Sequence, residues 1–198
     1  MRRRWNVPLK KLLQLGRVAA LLLVSCASAG AAPLPATGTI EPIFTPGGDA
    51  EGAITGVLSE ATRSIRRQAF LLTSRPIAYA LIDARRRGVE VEVLADREMV
   101  KEGKRSLIPQ LVANDVQVRL EVDYAIAHNK IIIVDAGHEN ATLITGSYNF
   151  TYSAQARNAE NLLILRGNPD LVGVYLGNWQ RHREKALPYA EAVTVTKQ

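Results

Sequence analysis

The chain has 198 residues, of which 47% are hydrophobic and 22% are charged. This composition is typical of a globular protein and excludes a disordered or a fibrous one. The formal net charge is +6, but residues 1–29 hold six basic residues and no acidic one, so the rest of the chain has 19 charges of each sign. A uniformly basic surface is therefore excluded, and a polyanionic partner would have to be bound by local charge.

Residues 1–29 have the order of a bacterial export signal. A basic segment precedes the short apolar run VAALLLVS, and the small residues CASAGAA follow it. The apolar run has about half of the roughly 20 residues that span a bilayer, which favours a signal over a membrane anchor. The stretch LVSC looks like a lipobox in which Cys26 is lipidated, whereas ASA at 27–29 offers an ordinary cleavage site. Both alternatives predict an exported protein, either periplasmic or secreted, and the first predicts a membrane-anchored lipoprotein.

The first half of the remaining chain alternates between strand and helix patterns. Residues 30–38 are small and Pro-rich, which predicts a linker. A catalytic domain is predicted over residues 39–187, with residues 188–198 as a C-terminal tail. Its strands are predicted over TIEPIF, IRRQAFLLTS, VEVEVLAD and VQVRLEV, and its helices over DAEGAITGVLSEATRS, RPIAYALIDARRRG and SLIPQLVAND.

The second half begins with two apolar runs, KIIIVD and ATLITGS, which the polar turn AGHEN separates. They predict an antiparallel hairpin. A buried strand over NLLILRG follows, and then a terminal helix over PDLVGVYLGNWQRHREK, with one face made by Leu171, Val174, Tyr175, Asn178 and Trp179. The order β-α-β-α-β-α-β-β-β-β-α predicts a single α/β domain with a mixed β-sheet flanked by helices on both faces.

Four polar side chains are predicted to meet at the hairpin. His128 and Lys130 share one face of a strand, because residues i and i+2 of a strand point the same way. Ser147 and Asn149 share a face too if the chain stays extended there, and the hairpin brings the two pairs together. This set suits a phosphate, with lysine as point charge, serine and asparagine as neutral donors, and histidine as nucleophile or acid/base. It does not suit a metal, since His138 and His182 have no ligand spacing to His128.

These motifs resemble the signature of the phospholipase D superfamily. HNKIIIVD fits H-x-K-x-x-x-x-D, and GSYN fits the G-S-x-N that follows it. The resemblance extends over about residues 40–186 through ATRSIRRQAFLLTS, ALIDARRRGVEVEVLAD and NFTYSAQARNAENLLIL. Within the superfamily, the chain is similar to the small exported endonucleases that carry a single motif.

The resemblance implies a role for each matching residue. His128 would be the nucleophile that forms a phosphohistidine, or its counterpart that acts as general acid. Lys130, Ser147 and Asn149 would bind the phosphate, and Glu160 would orient the histidine through its second ring nitrogen. Asp135 matches the motif aspartate, which has a supporting role. The family mechanism requires no cofactor and no metal.

One motif is only half of such a site. An in-line displacement needs a nucleophile on one side of phosphorus and an acid at the leaving oxygen, and one imidazole cannot be both in a single step. We therefore predict a homodimer in which His128 of each protomer faces one phosphate. The substrate is predicted to be DNA, with RNA as a further possibility, cut with little sequence preference. A phospholipid headgroup is the alternative.

Three basic residues are candidates for substrate binding. Lys101, Lys104 and Arg105 lie in the segment 96–106, which is predicted to be a loop at the end of a strand, where α/β sites form. Other function classes fit less well. A serine hydrolase with Ser147 as nucleophile lacks the glycines of the nucleophile elbow, and a catalytically silent phosphate-binding module would not need the full set of motif residues.

Overall fold

The computed structural model describes residues 32–103 and 105–194. The chain divides into two units, Met1–Pro33 and Leu34–Gln198. The second unit is the one described below. The predicted export signal, with Cys26, and the candidate Lys104 lie outside the described residues. Within the described ranges, no helix has both the length and the apolar character that crossing a membrane requires.

The described residues form one eight-stranded sheet in the order β1-β7-β6-β5-β2-β3-β4-β8. The pairs β2–β3 and β3–β4 are parallel and the other neighbouring pairs are antiparallel. The strands are β1 (Thr39–Thr45), β2 (Ser64–Ala69), β3 (Glu90–Asp96), β4 (Gln117–Glu121), β5 (Lys130–Val134), β6 (Thr142–Gly146), β7 (Glu160–Arg166) and β8 (Leu187–Pro188).

Helices cover both faces of this sheet. One face packs against α1, α2 and α4, and the other packs against α6. The helices are α1 (Ala50–Glu60), α2 (Arg75–Arg86), α3 (Arg97–Glu102), α4 (Ile108–Val112), α5 (Tyr152–Ala156), α6 (Pro169–Lys185) and α7 (Tyr189–Ala192). The prediction of an α/β domain with a mixed sheet between two helical layers is confirmed.

Local sequence signals explain where the main helices begin. The side chain of Asp49 accepts a hydrogen bond from the backbone N–H of Gly52 at the start of α1. Ser74 does the same for Ile77 at the start of α2, where Pro76 occupies a first-turn position. Both caps satisfy backbone donors that have no partner inside the helix.

Two predictions for individual segments were wrong. The segment 96–106 contains the helix α3, which Asp96 caps by accepting from the N–H of Met99. On α6, Val172 is buried while Val174 is 56% exposed.

Two further segments are more buried than their sequences suggest. Strand β3 is buried from Val91 to its end, because α2 covers one of its faces and α6 the other. The predicted tail contains α7, whose Ala192 is buried in the core, and it begins at Pro188, the second residue of β8.

The register of the sheet places several strand ends together. Lys130, which begins β5, lies opposite Ala69, which ends β2. Glu160, which begins β7, lies opposite Thr45, which ends β1. Strand β6 ends at Gly146 beside them. This end of the sheet, defined by these five residues, is called the site end below.

Candidate active site

His128 and Lys130 are in direct contact at the site end. The Nζ atom of Lys130 lies 2.8 Å from Nδ1 of His128 and 2.6 Å from its carbonyl oxygen. An ammonium group can only donate, so Nδ1 accepts and a neutral His128 ring carries its proton on Nε2. The imidazole is exposed, whereas Lys130 is only 6% exposed. The prediction that these two side chains share one face is confirmed.

Phe70, which follows β2, holds this pair in place. Its ring centroid lies 4.7 Å from that of His128, and Nζ of Lys130 lies 5.4 Å from the same ring. Its backbone N–H donates to the carbonyl of Asn129. Sequence reasoning missed Phe70, because its contact with the imidazole depends on the pairing of β2 with β5.

Ser147 and Glu160 form the second pair of the site. The hydroxyl of Ser147 donates to Oε2 of Glu160 at 2.6 Å and accepts from the N–H of Asn161 at 3.0 Å. Gly146 has φ +153°, and a Cβ there would lie 2.3 Å from the carbonyl oxygen of Asn161. Only glycine lets β6 approach β7 closely enough to place Ser147 on the carboxylate.

Glu160 does not contact the ring nitrogen for which the resemblance proposed it. Its other oxygen, Oε1, accepts from Nδ2 of Asn158 at 2.9 Å, and the Nδ1 atom of His128 is occupied by Lys130. Glu160 still acts on the cluster through its charge. Burial lowers the pKa of Lys130, and the Glu160 carboxylate raises it in part. In the described protomer, the His128–Lys130 pair and the Ser147–Glu160 pair therefore interact through the charges of Lys130 and Glu160.

Asn149 lies beyond the end of β6, in the loop that follows Ser147. The condition that the chain stays extended through both residues is not met, because β6 ends at Gly146. Asn149 is half-buried, and its Oδ1 atom has no hydrogen-bond partner among the described residues. Its carbonyl accepts from the N–H of Thr151 at 2.7 Å. The unpaired oxygen is an acceptor, so a phosphate would have to be bound by the NH₂ group of this amide.

Asp135 lies at the opposite end of β5, about 16 Å of strand away from Lys130. Its carboxylate accepts from the backbone N–H groups of Thr62, Arg63 and Ser64 and from the side chain of Asn140. These bonds hold the pKa of Asp135 at about 2 even though burial opposes them. Asp135 ties β5 to the start of β2, a structural position that agrees with the supporting role implied by the resemblance.

The basic candidates lie on and after α3. Lys101 is exposed in the last turn of that helix, and Arg105 is exposed just beyond it. Arg105 lines two adjoining cavities, of about 460 and 370 Å³. Thr73 lies in both cavities, three residues after Phe70.

The site therefore combines an exposed imidazole, a buried ammonium, a hydroxyl and a carboxylate, with a free amide oxygen close by. An imidazole can attack phosphorus or protonate a leaving oxygen, and the ammonium can neutralise the charge of a phosphate. In the part of the chain that the structure describes, no group of three or more His, Cys, Asp and Glu side chains is arranged to hold a metal ion.

Comparison with known proteins adds a family match and curated relatives. The family described as "Cardiolipin synthase, PLD-like domain" matches residues 54–181. A phospholipase D from Rickettsia bellii is 38% identical over 136 residues, which are 69% of this chain and 65% of that protein. The mitochondrial cardiolipin hydrolase of Mus musculus is 33% identical over 132 residues, which are 66% and 57% of the two chains. The chain thus spans less than two thirds of the length of each of these relatives.

Two solved structures share the fold. Nuc from Salmonella typhimurium, a phospholipase D family member, has a TM-score of 0.71 and 30% identity, with 77% of this chain and 99% of that chain covered. NucT from Helicobacter pylori has a TM-score of 0.69 and 21% identity, with 77% and 100% covered. The whole of each of these small proteins corresponds to the domain described here.

Proposed function

The chain belongs to the phospholipase D superfamily, and on that premise we propose that it hydrolyses the phosphodiester bonds of nucleic acids with little sequence preference. The observation that carries the proposal is the exposed imidazole of His128, held by Lys130 beside the Ser147–Glu160 pair. Such a set binds a phosphodiester through its charge and attacks it without a bound cofactor.

The proposed reaction has two steps. A ring nitrogen of one His128 attacks phosphorus and forms a P–N bond while the P–O bond to the leaving group breaks. A protonated His128 of the partner subunit gives its proton to the leaving oxygen. Water then attacks the phosphohistidine, its proton passes to that now neutral partner imidazole, and the P–N bond breaks. The products are one phosphomonoester and one alcohol.

A homodimer divides two roles between two copies of His128. In the described protomer, Lys130 donates to Nδ1, so this neutral ring has its proton on Nε2 and its lone pair in use. The nucleophilic copy needs that lone pair free, and the copy that acts as acid needs a second proton on the ring. Both roles therefore require that Lys130 leaves Nδ1, and a homodimer provides one copy of His128 for each of them.

Local charge supports a nucleic acid as the substrate. Arg105 lies in a groove with Arg75, and both are exposed. Because the chain outside residues 1–29 has no net charge, such a concentration of arginines is a local feature and suits a chain of phosphates. The likeness to Nuc, of which nearly the whole chain is covered, agrees with this choice.

Phospholipid hydrolysis is the second candidate function. The phospholipase D of Rickettsia bellii and the mouse cardiolipin hydrolase are named for lipid substrates. Two large apolar side chains near the site end are exposed, Ile126 at 60% and Phe44 at 64%. Such side chains could contact a membrane surface, or they could be covered in a homodimer.

The two substrates can be distinguished with the purified full chain and a His128→Ala control. Plasmid DNA and phosphatidylcholine vesicles are each incubated with both proteins in excess EDTA. We expect nicking of the plasmid by the wild type alone, without headgroup release. Headgroup release without nicking would overturn the choice of substrate, and activity restored only by a divalent ion would overturn the metal-free chemistry.

A further inference from the structure

We propose that the groove lined by Thr73, Arg75, Arg105, Ser106, Leu107 and Tyr152 binds a single-stranded stretch of nucleic acid next to the scissile phosphate. This groove is called the arginine groove below. The inference rests on the proposed function and deepens it, because it makes the substrate a single strand that extends beyond one phosphodiester.

The arginine groove has the size of a nucleotide site. Its cavity of about 460 Å³ lies within the range of pockets that bind small organic ligands. A second cavity, of about 370 Å³, shares Thr73, Arg105 and Ser106 with it. The two cavities therefore adjoin each other at these shared residues.

Two segments of backbone connect the groove to the active site. Phe70 contacts His128, and three residues later Thr73 lines the groove. Three extended residues span roughly 10 Å. From the other side, the loop containing Asn149 continues through Phe150 to Tyr152. The N–H groups of Thr73 and Ser74 both donate to the carbonyl of Phe150 at 3.0 Å, which fastens the two segments together.

The charges in the groove suit a phosphate. None of the ion pairs among the described residues includes Arg75 or Arg105. Arg75 is the first residue of α2, where the positive end of the helix dipole disfavours a cation. Both that helix end and the two guanidinium groups favour an anion, and arginine binds phosphate through two parallel hydrogen bonds.

Tyr152 provides a surface for a base. Its side chain is 64% exposed, and the guanidinium of Arg157 lies 5.6 Å from its ring centroid. An exposed aromatic ring among arginines is the combination with which proteins bind single strands, because bases stack on the ring. Bases inside a duplex are already stacked on each other, so this ring favours a single strand.

The second cavity differs from the first in its chemistry. Leu71 and Met99 make it apolar, and Glu102 adds a carboxylate. A phosphate there would be repelled by Glu102, whereas a base could lie against the two apolar side chains and donate from an amino group to the carboxylate. The phosphate is therefore assigned to Arg75 and Arg105, with bases on either side of it.

The test compares a dinucleotide, whose single phosphodiester reaches only the catalytic residues, with a single-stranded decanucleotide. In the wild type we expect a higher kcat/KM for the decanucleotide. The readout is the kcat/KM for the decanucleotide divided by that for the dinucleotide. This ratio should fall about tenfold in the double variant Arg75→Gln/Arg105→Gln, and also about tenfold in Tyr152→Leu. The matched controls Arg86→Gln and Tyr79→Leu, which change an exposed arginine and an exposed tyrosine elsewhere on α2, should leave the ratio unchanged.

Binding provides a readout that does not depend on cleavage. In the His128→Ala background, fluorescence anisotropy measures the affinity for the labelled decanucleotide with and without its complementary strand. We expect tighter binding of the single strand, and a shallower salt dependence after Arg75 and Arg105 are replaced. If the wild type cuts neither the dinucleotide nor the decanucleotide but binds the single strand more tightly than the duplex, the proposed hydrolysis is wrong and the proposed binding by the arginine groove is supported. An unchanged kcat/KM ratio with equal binding of single strand and duplex would overturn the groove.

Discussion

The Nζ atom of Lys130 lies 2.8 Å from Nδ1 of His128, so the ammonium occupies the ring nitrogen that the family resemblance reserves for an acidic partner. Glu160 is bound instead to Ser147 and Asn158. A bound phosphate would compete for the donors of both Lys130 and Ser147. Substrate binding can thereby release Nδ1 and the Glu160 carboxylate together.

Replacing Lys130 should have opposite effects on the stability of the fold and on activity. Burial lowers the pKa of Lys130, so below the ordinary pKa of lysine its charge destabilises the folded state. We expect Lys130→Met to raise Tm at pH 7 and to lower kcat/KM by about 10²-fold through the lost phosphate contact. The gain in Tm should shrink as the pH approaches 10. Lys185→Met, at an exposed position, is the control and should give no gain; a Tm of Lys130→Met below that of the wild type would contradict the account.

The charge of Glu160 should be measurable on Lys130. Its carboxylate raises the pKa of Lys130, so removing the charge lowers that pKa further. We expect Glu160→Gln to move the midpoint of the Lys130 titration, followed by NMR of the isotope-labelled side chain, to lower pH, while the amide oxygen still accepts from Ser147. Glu60→Gln, at the exposed end of α1, should leave the midpoint in place. A midpoint that stays where it is in Glu160→Gln would show that the two groups are not coupled.

Asp135 should matter for folding and not for chemistry. Its Asn variant loses a carboxylate that accepts from three backbone N–H groups, which we expect to lower the free energy of unfolding by about 2–4 kcal/mol. Because the pKa of Asp135 is held at about 2, its contribution is present above the ordinary aspartate pKa and is lost as the pH falls through 2. Denaturant unfolding between pH 2 and 5 measures this. A loss of kcat larger than tenfold in a folded Asp135→Asn protein would return the residue to the active site.

Arg67 is a buried cation without a hydrogen-bond partner. It is 0% exposed, all three guanidinium nitrogens are unpaired among the described residues, and the group lies 4.3 Å from the centroid of Phe150. Burial lowers the pKa of Arg67 to about 9. We expect Arg67→Met to stabilise the fold by about 1–4 kcal/mol in urea unfolding, against a change within about 0.5 kcal/mol for the exposed Arg86→Met. Destabilisation of Arg67→Met would reveal an anion or a water bound to the guanidinium.

Much of the fold could be predicted because the pattern of apolar residues is local. The hairpin of β5 and β6 and the helix α2 were readable from a few consecutive residues. Segments whose structure depends on distant packing were not. The helix α3 has a short, mostly charged sequence, and the burial of both faces of β3 depends on α6, which lies 73 residues or more further along the chain.

The candidate site shows the same division. The pairing of His128 with Lys130 follows from strand periodicity alone, and the structure confirms it. The position of Asn149 depends on where β6 ends, and the partners of Glu160 depend on loops that the periodicity does not describe. Phe70 directly follows β2, which pairs with the β5 strand much further along the chain, so only the fold could bring its ring to the imidazole.

The proposed reaction requires two copies of His128 in each active site. Wild-type and His128→Ala chains are co-expressed at several ratios so that they pair at random, and nuclease activity of the purified mixtures is measured in excess EDTA. We expect the activity to follow the square of the wild-type fraction, because only dimers with two intact imidazoles cut the substrate. Activity that falls linearly with the wild-type fraction would contradict it, since one His128 would then be sufficient.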